Sequence, residues 1–270
     1  RQNDAVNSCW MPDSHRLNYK YINAETRIPQ PVIRTDAEAP HRPSTWEPAL
    51  ASAAEAVKRI APNQLAIIAS GRMTNEELYM VRHLAAQIGT DMVDIVPRMG
   101  ESDGMLISAD RNPNTNGARL VLDIEPGSRL DAIREGVRSG SIKGILSLGE
   151  DLISPEAGFT AEDLDKLDYL FMTAHSANET ARHADLVLPG VTYAEKFGTM
   201  INVTGRIQRL NRAIQPIGYA RDDWQIFRDI TLLLGGNPAL KDFNSALDIL
   251  TAMSTEYGAL NGAVSYTHLR

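Results

Sequence analysis

Short, continuously apolar runs alternate with amphipathic segments along most of this chain, and no other feature of the sequence constrains the fold as strongly. A short apolar run bounded by Pro or Gly is typical of a strand buried on both faces of a parallel sheet. Apolar residues at three- and four-residue steps indicate helices between the runs. The pattern predicts strands at 64–69, 91–96, 119–124, 144–148, 169–174 and 185–188, and helices at 44–61, 74–89, 128–139, 161–164, 178–183, 222–234 and 245–257.

The order of these elements predicts the fold class. Strands recur about every 20 to 30 residues with helices between them, which favours right-handed crossovers. We therefore expect an α/β fold with a mainly parallel sheet and flanking helices. Thr74 and Glu77 have the spacing of a capping box at the start of one helix. The segment 97–117 is rich in Gly and Pro and is predicted to be a long irregular connection, either functional or the remnant of a functional loop.

Proline residues interrupt the first part of the chain, so residues 1–43 are predicted to form an extended linker on the surface of a larger body. Residues 44–260 are predicted to be that body, and residues 261–270 an unstructured or non-native tail. The chain opens on Arg1 without a Met, which we interpret as a fragment of something longer. Aromatic side chains are expected to hold the linker in place: Trp10, Tyr19 and Tyr21.

Composition argues against several classes of protein. The chain has 27 Lys and Arg against 34 Asp and Glu, a net charge of −7, so we expect no nucleic-acid partner. Its apolar runs are far shorter than the ~20 residues of a membrane span, so no membrane insertion is expected. With Cys9 as the single cysteine, the chain alone cannot supply a disulfide, a four-thiolate zinc site or an all-cysteine iron–sulfur cluster.

Polar residues follow the predicted strands at the edge where a parallel sheet places its ligand crevice. Each has an ordinary structural explanation as a turn glycine, a helix N-cap or a surface acid. Their coincidence at one edge favours a ligand cleft. The common nucleotide and hydrolase motifs, such as G-x-G-x-x-G and G-x-S-x-G, are absent. The candidate residues are Gly149 and Asp151, His175 and Asn178, and Asp185 with Glu195.

A long motif occupies residues 184–208. An Ala-Asp-Leu-Val-Leu-Pro run leads to Glu195, then Gly198-Thr199, Asn202, Gly205-Arg206 and Gln208. This pattern resembles the signature of the molybdopterin oxidoreductase superfamily, from which it departs at Thr204, where the family often has Glu. The resemblance implies a cleft, vestigial or working, that is shaped for a pterin cofactor. Its expected lining residues are Gly149, Asp151, His175, Asn178, Asp185, Glu195, Gly198, Thr199 and Asn202.

The opening residues resemble one particular group of proteins within this superfamily. The stretch 3–16 is similar to the segment that joins the iron–sulfur portion to the large domain in G subunits of bacterial NADH:quinone oxidoreductase, respiratory complex I. Pro12 stands where some of those subunits place a cluster-ligating Cys. The resemblance implies a scaffold domain with no catalytic residue and no cofactor or metal of its own. The 2Fe–2S and 4Fe–4S clusters that pass electrons from NADH to quinone would lie upstream, in a peripheral arm shared with other complex I subunits on the cytoplasmic side of the inner membrane.

Two other interpretations remain open. The chain could be a molybdenum-dependent oxidoreductase of the formate dehydrogenase kind that binds a bis-pterin cofactor. Catalytic members of the superfamily carry a Cys, selenocysteine or Ser on the metal, at a place corresponding to 97–104, and Ser102 is the formal candidate there. Alternatively, the cleft could bind a nucleotide or a small metabolite. The absent G-x-G-x-x-G motif counts against this last interpretation.

Overall fold

A computed structural model of the chain describes residues 4, 6–34 and 39–260. Its main sheet has seven strands in the order β2-β1-β7-β6-β5-β3-β4, and β8 and β9 form a separate hairpin. Strands β3 to β7 run parallel, whereas β1 pairs antiparallel with both β2 and β7. The strands are β1 Val32–Ile33, β2 Arg42–Pro43, β3 Leu65–Ala69, β4 Val93–Ile95, β5 Gly144–Leu148, β6 Tyr169–Ala174, β7 Leu186–Pro189, β8 Gly198–Ile201 and β9 Ile207–Leu210.

Helices cover both faces of the main sheet, which explains why strands β3 to β7 are buried and mostly apolar. Ile67 of β3 packs into one apolar layer, and its neighbour Ile68 packs into the other. The first layer holds α2, α3, α4, α8 and α9, and the second holds α5, α6 and α7. The helices are α1 Asp13–Arg16, α2 Trp46–Arg59, α3 Asn75–Ile88, α4 Thr115–Leu122, α5 Leu130–Ser139, α6 Ala161–Leu164, α7 Glu179–His183, α8 Asp223–Leu233 and α9 Ala246–Glu256.

The predicted α/β fold class is confirmed, and several elements agree closely with the sequence pattern. Strands β5 and β6 have the predicted bounds. The capping box is also present, since the Thr74 hydroxyl accepts from the Glu77 N–H at 3.2 Å and the Glu77 carboxylate accepts from the Thr74 N–H at 2.8 Å. Helix α3 therefore begins where the sequence predicts, and it packs against α4, α8 and α9.

The strand predicted at 119–124 is wrong. These residues belong mostly to α4, whose buried positions Ala118 and Val121 are three residues apart, the spacing of one helix face. The helix ends where Asp123 adopts a left-handed conformation with φ of 54°. Arg119 and Asp123 flank a short apolar run, 120–122, that imitates a buried strand, and only the packing of this helix against α3 separates the two.

The segment before α2 is less extended than predicted, because it contains α1 and a 3-10 turn, Lys20–Asn23. Trp10 and Tyr19 are more than half exposed, so the prediction that they hold the segment in place is wrong. Ile22 and Ile28 are buried instead. Strand β1 extends the main sheet beside β7. The domain limits at 43 and 260 remain predictions, and the predicted tail, 261–270, lies outside the described residues.

Within the described ranges, no helix is both long enough and apolar enough to cross a membrane.

The capping box yields a prediction about stability. Thr74→Val keeps the size of the buried side chain but removes the acceptor for the Glu77 N–H, so the free energy of unfolding should fall by about 1 kcal/mol. Thr74→Ser keeps the acceptor and serves as the matched control. Urea unfolding followed by circular dichroism measures both variants. Equal midpoints for the two variants would contradict a capping role for the hydroxyl.

Candidate functional site

A cleft of about 750 Å³ opens at the carboxyl ends of the parallel strands. The chain passes from β3 to β4 on one side and then crosses to β5 on the other, so the ends of β3 and β5 flank a topological switch point. Turns after four strands contribute to the cleft. They supply Ser70, Arg72 and Met73 after β3, Gly149 after β5, His175 after β6, and Gly190, Val191 and Thr192 after β7.

Three further segments complete the cleft walls. The first is the long connection after β4, through residues 106–108 and 110–113. The second is the β8–β9 hairpin, which contributes Met200, Asn202 and Gln208 among others. The third is the segment before α2, which contributes Tyr21. The cleft is thus assembled from parts of the chain that are far apart in sequence.

Two glycines keep the floor of the cleft open. Gly149 has φ of +73°, a conformation that side chains other than glycine rarely adopt. Gly190 leaves no room for a side chain, because a Cβ atom there would lie 2.7 Å from Oδ1 of Asp223. Both glycines line the cleft, at the ends of β5 and β7.

A buried lysine lies in the cleft wall. Lys196 Nζ donates to both Glu77 oxygens at 2.7 and 2.9 Å and lies 3.7 Å from Asp223. Burial opposes the charge on Lys196, but the two carboxylates outweigh it and raise its pKa above the ordinary value. Burial raises the pKa of Asp223 to about 7, against the attraction of Lys196. The cluster therefore holds a firmly charged ammonium beside a carboxyl that titrates near neutral pH.

A second buried ion pair involves Glu195, the residue before Lys196. Glu195 accepts from the Arg27 guanidinium at 2.7 and 3.0 Å, and the two side chains are only 1% and 2% exposed. Burial disfavours the ionised carboxyl, but hydrogen bonds from Thr192 and Arg27 overcome this and lower the pKa of Glu195. Arg27 also donates to the backbone carbonyls of Ile22 and His175. This single side chain therefore connects three walls of the cleft.

The long connection after β4 is fixed by a third ion pair. Arg98 donates with both guanidinium NH2 groups to the carboxylate of Glu150, whose side chain is fully buried just after β5. Such a two-point contact fixes orientation as well as distance. Asn112 adds a hydrogen bond to the Val96 carbonyl at 2.9 Å. The irregular segment thus has a defined position against the cleft.

His175 contributes an uncharged ring. Burial first, and then repulsion from Arg27, Lys196 and Arg72, lowers the pKa of its imidazole to about 4. At neutral pH the ring can therefore offer a hydrogen-bond donor and an acceptor, or an aromatic face, without adding charge.

Gly149, His175 and Asn202, among the residues predicted for the site, lie together in the cleft wall. Asn202 also closes the β8–β9 turn, since its side-chain oxygen accepts from the N–H groups of Thr204 and Arg206. Its side-chain NH2 group donates to Gln208 Oε1 at 3.1 Å, which leaves one N–H of that group for a ligand.

The other predicted residues lie outside the cleft lining and have structural partners. Asp151 accepts from the Thr180 hydroxyl at 2.6 Å, and Asn178 caps α7 through the Ala181 N–H. Asp185 precedes β7 and so lies at the opposite, amino edge of the sheet, where it accepts from the Leu170 N–H at 2.8 Å.

Gly198, Thr199 and Glu195 complete the predicted set. Glu195 is the partner of Arg27 described above. Gly198 and Thr199 border a separate cavity of about 270 Å³ between the hairpin and the start of α9. There the Glu76 carboxylate accepts from the N–H and the hydroxyl of Thr199, both at 2.8 Å.

The site residues predicted from sequence leave out Lys196 and Asp223, which line the cleft. Arg72, directly after β3, also lines it. Lys196 and Asp223 have no local signal, because their significance depends on Glu77, 119 residues from Lys196 in sequence. Ser102, the formal metal-ligand candidate, lies in a turn where its hydroxyl donates to the Ile107 carbonyl and accepts from the Gly104 N–H.

Comparison with known proteins supports a molybdopterin oxidoreductase family domain in this chain. Residues 111–231 match the family model described as molybdopterin oxidoreductase. The structure resembles acetylene hydratase from Pelobacter acetylenicus with a TM-score of 0.58 and 9% identity, over 85% of this chain and 64% of that one. At this identity the likeness concerns the fold alone.

Two curated relatives are oxidoreductases by name. A candidate formate dehydrogenase of Staphylococcus haemolyticus is 32% identical over 144 residues, 53% of this chain. The NADPH-Fe(3+) oxidoreductase subunit alpha of Geobacter sulfurreducens is 33% identical over 136 residues, 50% of this chain. The matches span only 15% and 16% of those relatives.

The buried Glu76 yields a prediction about pH. Burial raises its pKa to about 7 from an ordinary 4.5, so between these values the folded protein holds a proton that the unfolded chain has lost. Its contribution to stability is therefore complete below about pH 4.5 and is lost as the pH rises to about 7. Glu76→Gln stays neutral at every pH. Relative to wild type, its free energy of unfolding should improve by about 1–3 kcal/mol from pH 5 to pH 8.

Urea unfolding at several pH values measures this difference. The exposed Glu162→Gln is the control and should follow wild type at each pH. A difference between Glu76→Gln and wild type that does not change with pH would show that Glu76 is ionised in the folded protein throughout the range.

Proposed function

We propose that this chain is the cofactor-binding domain of a molybdopterin-dependent oxidoreductase of the formate dehydrogenase kind. The observation that carries the proposal is the cleft at the β3–β5 switch point, with its glycine floor and basic rim, in a chain that matches the molybdopterin oxidoreductase model. The named oxidoreductase relatives support the same class of activity. That the whole protein acts on a substrate such as formate is also part of this proposal.

The chemistry of the cleft fits a pterin cofactor. The exposed Gly149 on its lining carries no side chain, which allows close approach of a flat ring. Three guanidinium groups on the lining suit an anionic phosphate: Arg72, Arg111 and Arg209. Polar side chains that could pair with the ring edges are also present, namely His175, Asn202 and Gln208. When bound, a molybdenum–pterin group would accept the two electrons that a substrate such as formate releases.

The chain's own residues would hold and orient that group. Lys196 donates hydrogen bonds without losing its proton, because Glu77 and Asp223 keep it charged. Burial raises the pKa of Asp223 to about 7, so it can hold or release a proton at the cleft wall. The Arg98–Glu150 pair fixes the position of the long connection beside the cavity.

Two side chains of this sequence come into question as a molybdenum ligand, Cys9 and Ser102. Cys9 is the single cysteine of the sequence, and it is exposed. The Ser102 hydroxyl is engaged in its turn. Under the proposed function, the metal would be held through the pterin and by a ligand from outside these 270 residues.

The same observations favour a second candidate. A scaffold domain of a complex I G-type subunit would keep the pterin-shaped cleft and need no metal ligand. Its partners would be the other subunits of the peripheral arm, on the cytoplasmic side of the inner membrane, and its iron–sulfur clusters would lie in the adjoining polypeptide. The engaged Ser102 and the opening motif at 3–16 support this candidate.

Cofactor analysis of the full-length protein, purified with its native partners, distinguishes the two candidates. Under the proposed function, we expect stoichiometric molybdenum or tungsten by mass spectrometry, together with pterin released as a fluorescent product on oxidation. Iron in the amounts of iron–sulfur clusters, without pterin or either metal, would reject the enzyme and favour the scaffold.

Two arginine variants test whether the cofactor binds in the cleft. Arg72→Ala removes a cation from the rim and should reduce the bound pterin by about 10-fold if Arg72 contacts a phosphate. Arg59→Ala removes an exposed cation at the end of α2 and should leave the pterin content unchanged. Equal pterin content in the two variants would remove Arg72 from the proposed binding site.

A further inference from the structure

The cavity of about 270 Å³ between the β8–β9 hairpin and the start of α9 has a chemistry of its own, and we call it the small cavity. It is smaller than the roughly 300–1,000 Å³ of pockets that hold drug-sized ligands. Much of its wall is apolar, and two of the apolar side chains, Phe197 and Leu247, are 43% and 42% exposed. The side chains that matter below are Glu76, Phe197, Thr199, Arg209, Leu247 and Leu250.

The small cavity is distinct from the cleft. Strand β8 forms part of both walls, because successive side chains of a strand point to opposite sides. Thr199 borders the small cavity, whereas Met200 borders the cleft. Arg209 on β9 is the one residue that borders both. A ligand in the small cavity would therefore lie behind the hairpin and outside the space proposed for the pterin.

A buried carboxyl group without a cationic partner lies in the wall of the small cavity. Glu76 is only 1% exposed, and its oxygens accept from the N–H and the hydroxyl of Thr199 at 2.8 Å. Among the residues that the structure describes, no Lys, Arg or His lies within ion-pair distance of it. The next residue, Glu77, differs in having Lys196 as a partner. A buried carboxylate is costly unless a cation pairs with it, and an ammonium group on a ligand would supply that cation.

A guanidinium group without an acidic partner lies beside this carboxyl. Arg209 stands directly opposite Thr199 in the hairpin, so the two side chains lie on the same face. Arg209 is exposed, and over the described part of the chain no carboxylate lies within ion-pair distance of its side chain. Glu76 and Arg209 thus both adjoin Thr199 without pairing with each other. The wall of the small cavity offers one negative and one positive group, each free for a ligand.

We propose that the small cavity binds a free amino acid with an apolar side chain. The ammonium group would pair with Glu76 and the carboxylate with Arg209, while the side chain would pack against Leu247 and Leu250. A simple amine would leave Arg209 unpaired, and a simple carboxylate would leave Glu76 unpaired. A small molecule with both charges satisfies the two groups together. This inference goes beyond the proposed function and does not depend on it, because the small cavity shares only Arg209 with the cleft.

Isothermal titration calorimetry of the full-length protein tests the proposal with L-leucine and two analogues that each lack one charged group. Burial raises the pKa of Glu76 to about 7, so the titrations are made at pH 8, where most molecules carry the carboxylate. L-leucine should bind at least about 10-fold more tightly than 4-methylpentanoate, which lacks the ammonium group, and than 3-methylbutylamine, which lacks the carboxylate. Equal affinity for L-leucine and either analogue would overturn the proposal. So would the absence of binding by L-leucine, L-methionine and L-phenylalanine up to about 10 mM.

Two exposed arginines of the hairpin provide a matched pair of variants. Arg209→Gln removes the proposed partner of the carboxylate and should weaken binding of L-leucine by about 10-fold, without weakening that of 3-methylbutylamine. Arg206→Gln removes an exposed cation from the hairpin turn, which borders neither cavity, and should bind L-leucine as wild type does. Equal affinity of the two variants for L-leucine would reject Arg209 as the carboxylate partner and the proposal with it.

Glu76→Gln tests the buried carboxyl. The amide keeps an oxygen that can accept from Thr199 but carries no charge, so L-leucine and 3-methylbutylamine should both bind about 10-fold or more weakly. Circular dichroism and the melting temperature check that the variant is folded. Wild-type affinity for both ligands in the folded variant would overturn the ammonium site. If this variant does not fold, the arginine pair and the two analogues still decide the outcome.

The titrations and the cofactor analysis fail independently. Binding of L-leucine that depends on Arg209, in a protein that purifies without molybdenum, tungsten or pterin, would keep the amino-acid site and reject the oxidoreductase. Full cofactor content without binding of any of the three amino acids would reject the site and keep the oxidoreductase.

Discussion

The buried ion pairs of two adjacent residues, Glu195 and Lys196, hold the cleft together. The two side chains pair with different parts of the molecule: Glu195 with Arg27 before the sheet, and Lys196 with Glu77 on α3. A buried charge is costly unless it is paired, so each pair tolerates little displacement of its partners. Pairing of this kind fixes positions more than it adds net stability. The strand turns, the first segment and α3 therefore keep one arrangement around the cavity.

The parallel part of the sheet could be predicted from sequence because its strands are short and mostly apolar, which is a local property. The buried ion pairs could not, because their members are 119 and 168 residues apart and only the topology brings them together. The error at 119–124 has the same origin. A run of mixed apolar and polar residues fits either a strand or a helix, and the contact of α4 with α3 decides between them.

The sequence predicts those residues of the candidate site that directly follow a parallel strand. Gly149 and His175 directly follow parallel strands and lie in the cleft. Asp185 belongs to the same motif but precedes its strand, so the parallel order places it at the far edge of the sheet. Asn178 bonds to its own helix, as short polar side chains commonly do. Such local bonding cannot be distinguished from ligand binding by sequence alone.

The antiparallel pair at the end of the sheet has a consequence for self-association. An unpaired outer strand is a template on which a second polypeptide can add hydrogen bonds. Here the outermost strand, β2, has only two residues, and one of them, Pro43, lacks the N–H that such an addition requires. The other, Arg42, is exposed and would bring its positive charge into any stacked copy. This flank is therefore a poor seed for fibrous assembly.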